Sequence, residues 1–552
     1  MKFRRDSDHL GNSLSPYAGR WVARLRGKIV GQGGTPQQAL QAAKAARHKE
    51  TPEILFIPMS NTLPISPVID QIRAAAPAEV PLHLVGGAVR DLLRGQPIHD
   101  YDFVLPSNAL EASRKIANRI GAAYFPLDVA RQTARLIFMD AQGTRHILDF
   151  ASYRGGGLEA DLRERDFTMN AMALDLRAPQ ELLDPLGGAA DLQAKRLRAC
   201  SPTSFSDDPV RVLRAVRMAA SFGLRISPET REQIRGAAAG LANISPERLR
   251  DELLRILDSP HPHTSIQALE MLGALPYVLP ELPALKGVKQ SAPHVKDVWH
   301  HTLDTLRVLE GILGVLGPVH NEEDAGNLLL GLLVMRLGRY REQINAHLQV
   351  ELVPDRPQRA LLFLAALYHD IAKPQTRTVE EGGRTRFFTH DELGAVTVAE
   401  RAQALHLSNS ETERLSKIVR HHMRPALLSH EAGGPSKRAV YRFFKDTDAA
   451  GVDICLLSLA DVWATYGTTL PQERWAQQLD TVRTLLEAWW EHSQEQVRPP
   501  ALLNGNELMA ELGLQPGPRI GEILEALREV QVEGVVSSRA EALAFARALA
   551  TN

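Results

Sequence analysis

The spacing of apolar positions changes character several times along the chain. Near the start, WVARLRGKIVGQGG alternates apolar and polar residues as a hairpin does, and TPQQALQAAKAARHK reads as a capped helix. From about residue 80 to 190 the two periods mix. LHLVGG is an apolar run ending in glycines, ALEASRKIANRIG is a helix, and TARLIFMD and TRHILDFA are strands. After residue 191 the strands give way to amphipathic helices, among them DPVRVLRAVRMAASFG and SPERLRDELLRILDS. Residues 291 to about 470 stay helical and become rich in histidine. The Pro-rich joint VRPPALLNG introduces a last helical segment. There is no internal repeat and no low-complexity tract.

This pattern predicts an α+β protein with an α/β head and an all-α body. Its expected modules are 1–60, small and basic; 61–190, the head; 191–290, a helical neck; 291–470, the histidine-rich part; and 471–552, a helical tail. A length of 552 residues is too great for one core, and 44% apolar with 23% charged residues is a globular balance. The uncut apolar runs are too short for a membrane span, and MKFRRDSDHLGNS lacks the apolar core of a secretory signal. A cytoplasmic protein with no membrane partner is expected.

Charge is balanced overall, with 64 Lys+Arg against 65 Asp+Glu, but not locally. The first fifty residues carry Lys2, Arg4, Arg5, Arg20, Arg24, Arg26, Lys28, Lys44, Arg47 and Lys49 against Asp6, Asp8 and Glu50. Contact with RNA and a plain solvated module are equally good readings. The only cysteines, Cys200 and Cys455, are too far apart for a disulfide framework or a thiolate zinc site, which leaves histidine as the better metal ligand.

Two constellations carry chemistry. LVGGAVRDLLRG places Gly86 and Gly87 after a strand and before a helix, where backbone N–H groups and Arg90 can meet a phosphate. Just downstream, HDYDFVL alternates Asp100 and Asp102 on a short strand, so both point to one face and can share Mg²⁺. Paired carboxylates of this kind hold ions that activate a 3′-hydroxyl and neutralise a triphosphate. Asp149, in HILDFA, is a candidate third carboxylate on a neighbouring strand.

With these motifs, the sequence from about Leu82 to Leu254 resembles the class II tRNA nucleotidyltransferases, relatives of bacterial poly(A) polymerase within the DNA polymerase beta superfamily. The glycine and double-aspartate motif matches at Gly86, Gly87, Arg90, Asp91, Asp100 and Asp102. The family's RRDFTxNA stands here as ERDFTMNA, with Glu164 where an arginine is usual. The resemblance implies that Arg165, Asp166 and Asn170 bind the ribose and phosphates of a nucleotide. LLDPLGGAADL is similar to the family's hinge motif through Asp184, Gly187, Gly188 and Asp191. ISPERLRDEL matches a further motif, expected to brace helices.

The family's base-reading EDxxR is matched by DDPVR. Asp208 is expected as a helix N-cap and Pro209 as the first helical residue, which puts Asp208 and Arg211 on one face. A carboxylate accepts from an exocyclic amino group while a guanidinium donates to the adjacent ring nitrogen, the pattern offered by cytosine and adenine but not by uracil or guanine. Arg214 and Arg217 extend that face and suit a triphosphate. Family members that add the terminal A carry a longer, proline-containing loop before RRDFT, and enzymes that add only CC carry a short one. Here RGGG stands in that place. The resemblance implies a tRNA partner, CTP as substrate, ATP as well if the whole CCA is added, and otherwise a separate A-adding enzyme. Poly(A) addition and a non-catalytic RNA-binding scaffold are the alternatives.

The second constellation is spread over HHTLDTLRVLE, LYHDIAKP, FFTHDELGA, IVRHHMRP and LSLADVWA. Each segment lies in or at the end of an apolar helical run, where an unpartnered imidazole or carboxylate is costly to bury and a shared transition metal would satisfy all of them. The order resembles the HD phosphohydrolase superfamily. It implies core ligands His301, His369, Asp370 and Asp461, with His390, His421 and His422 matching versions that hold two metals.

Overall fold

The computed structural model describes residues 20–25, 28–33, 36–45, 52–57, 66–98, 100–318, 327–431 and 433–551. Contacts divide them into two units, one running to Ala194 with Arg198–Ser201, the other Lys195–Leu197 with everything from Pro202. Lys2, Arg4, Arg5, Arg26, Arg47 and Lys49 of the basic N-terminal segment lie outside the described residues.

The first unit opens with strands β1 (Arg20–Leu25) and β2 (Lys28–Gly33), helix α1 (Pro36–Ala45) and strand β3 (Glu53–Ile57). The hairpin and helix are those expected from the alternation. β3 is additional and pairs antiparallel with β1, giving the order β2-β1-β3.

The head follows as α2 (Pro67–Ala75), β4 (His83–Val85), α3 (Gly87–Leu93), β5 (Asp100–Leu105), α4 (Ala109–Ile120), β6 (Ala123–Asp128), β7 (Thr133–Met139), β8 (Arg145–Ser152), α5 (Leu158–Arg163), β9 (Ala173–Asp175), β10 (Leu182–Leu183) and α6 (Gly188–Gln193). Its seven strands form one mixed sheet, β10-β9-β4-β5-β8-β7-β6, in which only β5 and β8 are parallel neighbours. Strand alternation decides which face becomes chemical. Tyr101, Phe103 and Leu105 of β5 join Leu148 and Phe150 of β8, Ile69 and Ile72 of α2 and Ile116 of α4 in the main core. Each such side chain contributes about 1.5–3 kcal/mol of burial. The alternate residues, Asp100, Asp102 and Asp149, therefore face the other way, beside a smaller cluster of Val85, Val104, Leu162, Ala171 and Ala173.

In the second unit, α7 (Ser204–Asp207) and α8 (Arg211–Phe222) carry the DDPVR motif, and α9 (Pro228–Ala237), α10 (Pro246–Leu257), α11 (Pro262–Met271) and α12 (Leu275–Val278) follow. Asp208 is not the N-cap expected from the sequence. It closes α7, and α8 begins only at Arg211, whose N–H donates to the Asp208 carbonyl. Next come α13 (Val298–Val315), α14 (Leu328–Leu337), α15 (Arg341–Leu348), α16 (Gln358–Tyr368), α17 (Lys373–Thr376), α18 (His390–Ala404), α19 (Asn409–His421), α20 (Arg424–Leu428), α21 (Lys437–Thr447) and α22 (Ala450–Tyr466). α16 is buried over nearly its whole circumference, as its uniformly apolar LLFLAALY requires. The remaining helices are Gln472–Trp490, Gly505–Leu512, Pro518–Val532 and Arg539–Thr551, and Asn504 with Glu507 forms a capping box just after the Pro-rich joint. Among the described residues, no single helix is long and apolar enough to cross a membrane.

Candidate active site

In the head, the chemical face is built around a turn that only glycine can make. Gly86 has φ +74°, and a Cβ there would lie 2.7 Å from Asp102 Oδ2 and 3.2 Å from Arg165 Nη1. Val85 is the register partner of Asp102, which in turn stands beside Asp149 on β8. The three carboxylates thus share one edge of the turn. Arg135, opposite Asp149 on β7, donates through Nε and Nη2 to the two Asp149 oxygens, each at 2.9 Å. Its pKa is raised by that hydrogen bond, against partial burial, with further help from the charges of Asp149, Asp100 and Asp102. Three carboxylates gathered on one face are a donor set that fits a divalent cation with hard oxygen ligands. Asp149 is brought to the expected side with both oxygens engaged by Arg135.

The ERDFTMNA segment supplies the neighbouring network. Asn170 Oδ1 accepts from Arg90 Nη1 at 2.8 Å, while its Nδ2 donates to Asp166 Oδ1 at 3.1 Å. Arg90 also makes a two-pronged pair with Asp91, at 2.9 and 2.7 Å, and is only 8% exposed. Its guanidinium lies against the Gly87 turn, where a Cβ would stand 3.2 Å from Nη2, and braces Asn170. Arg165 is held by Asp161, with Nε and Nη2 at 3.2 and 3.1 Å from Oδ2. The hinge motif is locked to the same segment. Asp191 Oδ2 accepts from Thr168 Oγ1 at 2.7 Å and from Arg198 Nε at 2.8 Å, and a Cβ on Gly188 would fall 2.0 Å from the Thr168 carbonyl oxygen. Asp184 caps α6 by accepting from the N–H groups of Gly188 and Ala189.

Asp208 and Arg211 of the DDPVR motif lie in the second unit. Asp208 Oδ2 is 3.9 Å from Arg211 Nε, and its carboxylate is also gripped by Arg248 Nη2, at 2.9 and 2.8 Å. Arg211 Nη1 donates to Ser204 Oγ at 2.8 Å. Arg214 and Arg217, expected to suit a triphosphate, are paired within the helical body. Both turn to Glu252 of α10, with Arg217 Nε at 2.8 Å and Arg214 Nη1 at 3.3 Å, and Arg255 joins them at 3.2 Å. Burial acts to raise the Glu252 pKa, but the Arg217, Arg214 and Arg255 charges outweigh it and hold the carboxyl below its usual range. The bracing expected of the ISPERLRDEL motif is therefore performed by Glu252 and Arg248.

The histidine-rich region converges on Asp370. α13 is N-capped by Asp297 and carries His301; α16 ends against His369 and Asp370; α18 begins at His390; His422 follows α19; and Asp461 lies on α22. His301 Nε2 and His369 Nε2 are 3.5 and 3.3 Å from Asp370 Oδ2, and His301 Nε2 is 3.0 Å from Asp461 Oδ1. On the other oxygen, Asp370 Oδ1 is 3.4 Å from His390 Nε2 and 3.8 Å from His422 Nε2. Two ligand groups result, His301–His369–Asp370 and Asp370–His390–His422, both buried.

The tautomers are set by the backbone. Nδ1 of His369, His390 and His422 lies 2.8, 2.7 and 2.7 Å from the carbonyls of Ala366, Phe387 and Val419. A carbonyl only accepts, so each Nδ1 carries the proton and each Nε2 turns a lone pair inward. Burial lowers the His422 pKa to about 4, aided by His369 and His390. His390 Nε2 is buried without a hydrogen-bond partner, while Asp370 Oδ2 is met by the Lys373 ammonium. Inward lone pairs around an aspartate, with an orphaned polar atom among them, fit transition-metal ions.

His421 is the exception among the expected ligands. As the helical neighbour of His422 it projects about 100° away. There burial lowers its pKa, aided by Arg424 and countered by Asp446. Among the other residues that line the site, a cavity of about 340 Å³, Lys373 and His294 stand close to the ligands. Lys373 Nζ lies 2.6 Å from Asp370 Oδ2 and donates to Gln290 Oε1 at 2.7 Å. The ring of His294 stands 5.2 Å from that of His301, and burial with Lys373 lowers its pKa to about 4. Lys373 is one turn beyond Asp370 and belongs, with His369 and Asp370, to the LYHDIAKP segment singled out in the sequence. His294 sits in a loop with no periodic signal.

Comparison with known proteins bears on both centres. Residues 82–198 match the poly(A) polymerase head domain, 223–285 a segment described as an RNA and SrmB binding site of polymerase A, 298–462 the HD domain, and 402–546 a tRNA nucleotidyltransferase domain 2. The chain is 35% identical over 470 residues to the A-adding tRNA nucleotidyltransferase of Deinococcus radiodurans, covering 84% of this chain and 94% of that one. It is 33% identical over 470 residues to the CC-adding tRNA nucleotidyltransferase of Thermus thermophilus, covering 84% and 92%. Among solved structures, a CCA-adding enzyme in complex with CTP matches at a TM-score of 0.58 and 21% identity, covering 88% of this chain and 97% of that one. The Thermotoga maritima CCA-adding enzyme complexed with tRNA matches at 0.53 and 20%, covering 88% and 96%. At those identities the structural matches speak to the fold.

Proposed function

The chain belongs to the class II tRNA nucleotidyltransferases with an HD domain, and from that premise we propose that it adds two C residues from CTP to the 3′ end of tRNA without a template. The observation that carries CC addition is the connector between β8 and α5. β8 ends at Ser152 and α5 begins at Leu158, so only Tyr153–Gly157 lie between them. Relatives of similar identity add A in one case and CC in the other, so identity does not decide between them.

Asp100 and Asp102 hold Mg²⁺, which when bound eases deprotonation of the tRNA 3′-hydroxyl and offsets the triphosphate charge. Gly86 and Gly87 let the backbone approach the phosphates, and Arg165 pairs with them. Asp166 and Asn170 orient the ribose, with Arg90 and Asp91 fixing Asn170 from behind. Asp208 accepts from the exocyclic amino group of cytosine and Arg211 donates to its ring nitrogen. Product length on a tRNA lacking CCA tests the reading. CTP alone should give two added residues, and ATP should add nothing further. A single A added after CC, a complete CCA or a long A tail would each overturn it. No incorporation at all would favour a scaffold. CC addition implies that a separate enzyme supplies the terminal A.

The HD centre hydrolyses phosphate esters. Its residues would hold two transition-metal ions, which supply a hydroxide nucleophile when bound. Lys373 is placed to steady Asp370 and to face the anionic ester. Mn²⁺-dependent release of phosphate from a mononucleotide, lost in Asp370→Asn, is the expected outcome. Equal turnover by wild type and variant would reject the assignment.

A further inference from the structure

The short connector is tied at both ends. At the first, Tyr153 N donates to the Leu105 carbonyl at 2.9 Å, and its hydroxyl lies 2.9 Å from Nδ1 of His83. Burial pushes the Tyr153 phenol up to about 12, so it keeps its proton in that contact. Its ring packs on the small cluster of Val85, Val104 and Leu162. At the second end, Arg154 N donates to Asp161 Oδ1 at 3.1 Å. Between the two, Gly155 has φ +62°, and a Cβ on it would lie 3.0 Å from Ala160 Cβ.

Asp161 is 1% exposed, and its second oxygen is the one that accepts from Arg165 Nε and Nη2. One carboxylate therefore joins the connector backbone to the arginine of the ERDFTMNA motif. Arg165 Nη1 in turn approaches the Gly86 turn that abuts Asp102. Nothing in the chemistry of phosphate binding requires a buried anion at this point, and a carboxylate beside a phosphate-binding arginine competes for its donors. Its value is geometric. One buried oxygen that accepts from both Nε and Nη2 restrains the orientation of the guanidinium, which a phosphate alone leaves free to swing.

We propose that Asp161 is a positioning residue that sets Arg165 against the incoming triphosphate at a place dictated by connector length. This rests on the nucleotidyl-transfer reading of the head. A longer connector would release Arg154 N from Asp161 Oδ1, and the carboxylate and Arg165 would shift together.

A double-mutant cycle on the full chain tests this, with CTP and tRNA lacking CCA. Asp161→Asn should raise KM for CTP about tenfold while changing kcat less than about threefold. In an Arg165→Gln background the same substitution should change KM less than about twofold, because the group it positions is gone. An equal penalty in both backgrounds, or an unchanged KM, overturns the proposal. Should Asp161→Asn fail to fold by thermal melting, Asp161→Glu enters the cycle under the same criteria, since it keeps the charge and displaces it by one methylene. No incorporation by the unsubstituted chain would overturn the reading of the head, and this assignment with it.

Discussion

Arg414 donates to Asp453 within the helical body, and each stands eight residues before a candidate metal ligand, His422 and Asp461 respectively. Both are buried, and His347 completes the cluster, its Nε2 lying 3.2 Å from Asp453 Oδ1 and 3.0 Å from Arg414 Nη2. Eight residues are about 12 Å of helix, so the ion pair stands about two turns away from each ligand.

Removing one member of that pair leaves an uncompensated charge in the interior. Arg414→Met should cost about 3–5 kcal/mol in chemical unfolding. Adding Asp453→Leu to it should recover much of the loss. If the single variant unfolds like wild type, the pair contributes nothing to the body's stability.

Gly86→Ala meets two obstacles at once, a left-handed φ and the 2.7 Å approach to Asp102 Oδ2. The expected result is a loss of nucleotide incorporation of about a hundredfold or more, with a stability cost of about 1–3 kcal/mol. Incorporation kinetics and thermal melting measure the two separately.

Glu252 links stability to pH. Its folded pKa is depressed, so its contribution is fully present above the ordinary glutamate range and is lost as pH falls through the folded value. Urea unfolding should show Glu252→Gln weaker than wild type by a constant margin at neutral pH, and the margin should close below about pH 4. A margin that persists in acid would mean that packing, not charge, is what the substitution removes.

Metal content separates the adjacent histidines. His422→Ala should lose one of two bound Mn²⁺ per chain, whereas His421→Ala should keep both. Asp370→Asn should lose both, since it borders both ligand groups. Elemental analysis after gel filtration reads this without any turnover assay.

What was legible in the sequence followed local periodicity. The alternation of DYDFVL was enough to put Asp100 and Asp102 on one face and Tyr101 and Phe103 in the core. The histidine segments announced themselves because each was a polar break in an apolar helix. Partners distant in sequence were not legible. Arg214 and Arg217 look like free cations until Glu252, more than thirty residues on, is folded against them. Arg90 follows the glycines as a phosphate ligand would, and nothing nearby announces its bond to Asn170, eighty residues away. Choosing His422 over His421 needs the register of α19, which a pair of neighbouring histidines does not contain.

Asp370 offers one oxygen to His301 and His369 and the other to His390 and His422, while every ligand of that centre comes from the second unit and none from the head. On the function proposed for the two centres, a lineage could thus silence phosphate-ester hydrolysis with a single codon change and go on extending RNA ends. The two chemistries are inherited on one polypeptide, but selection can retire them one at a time.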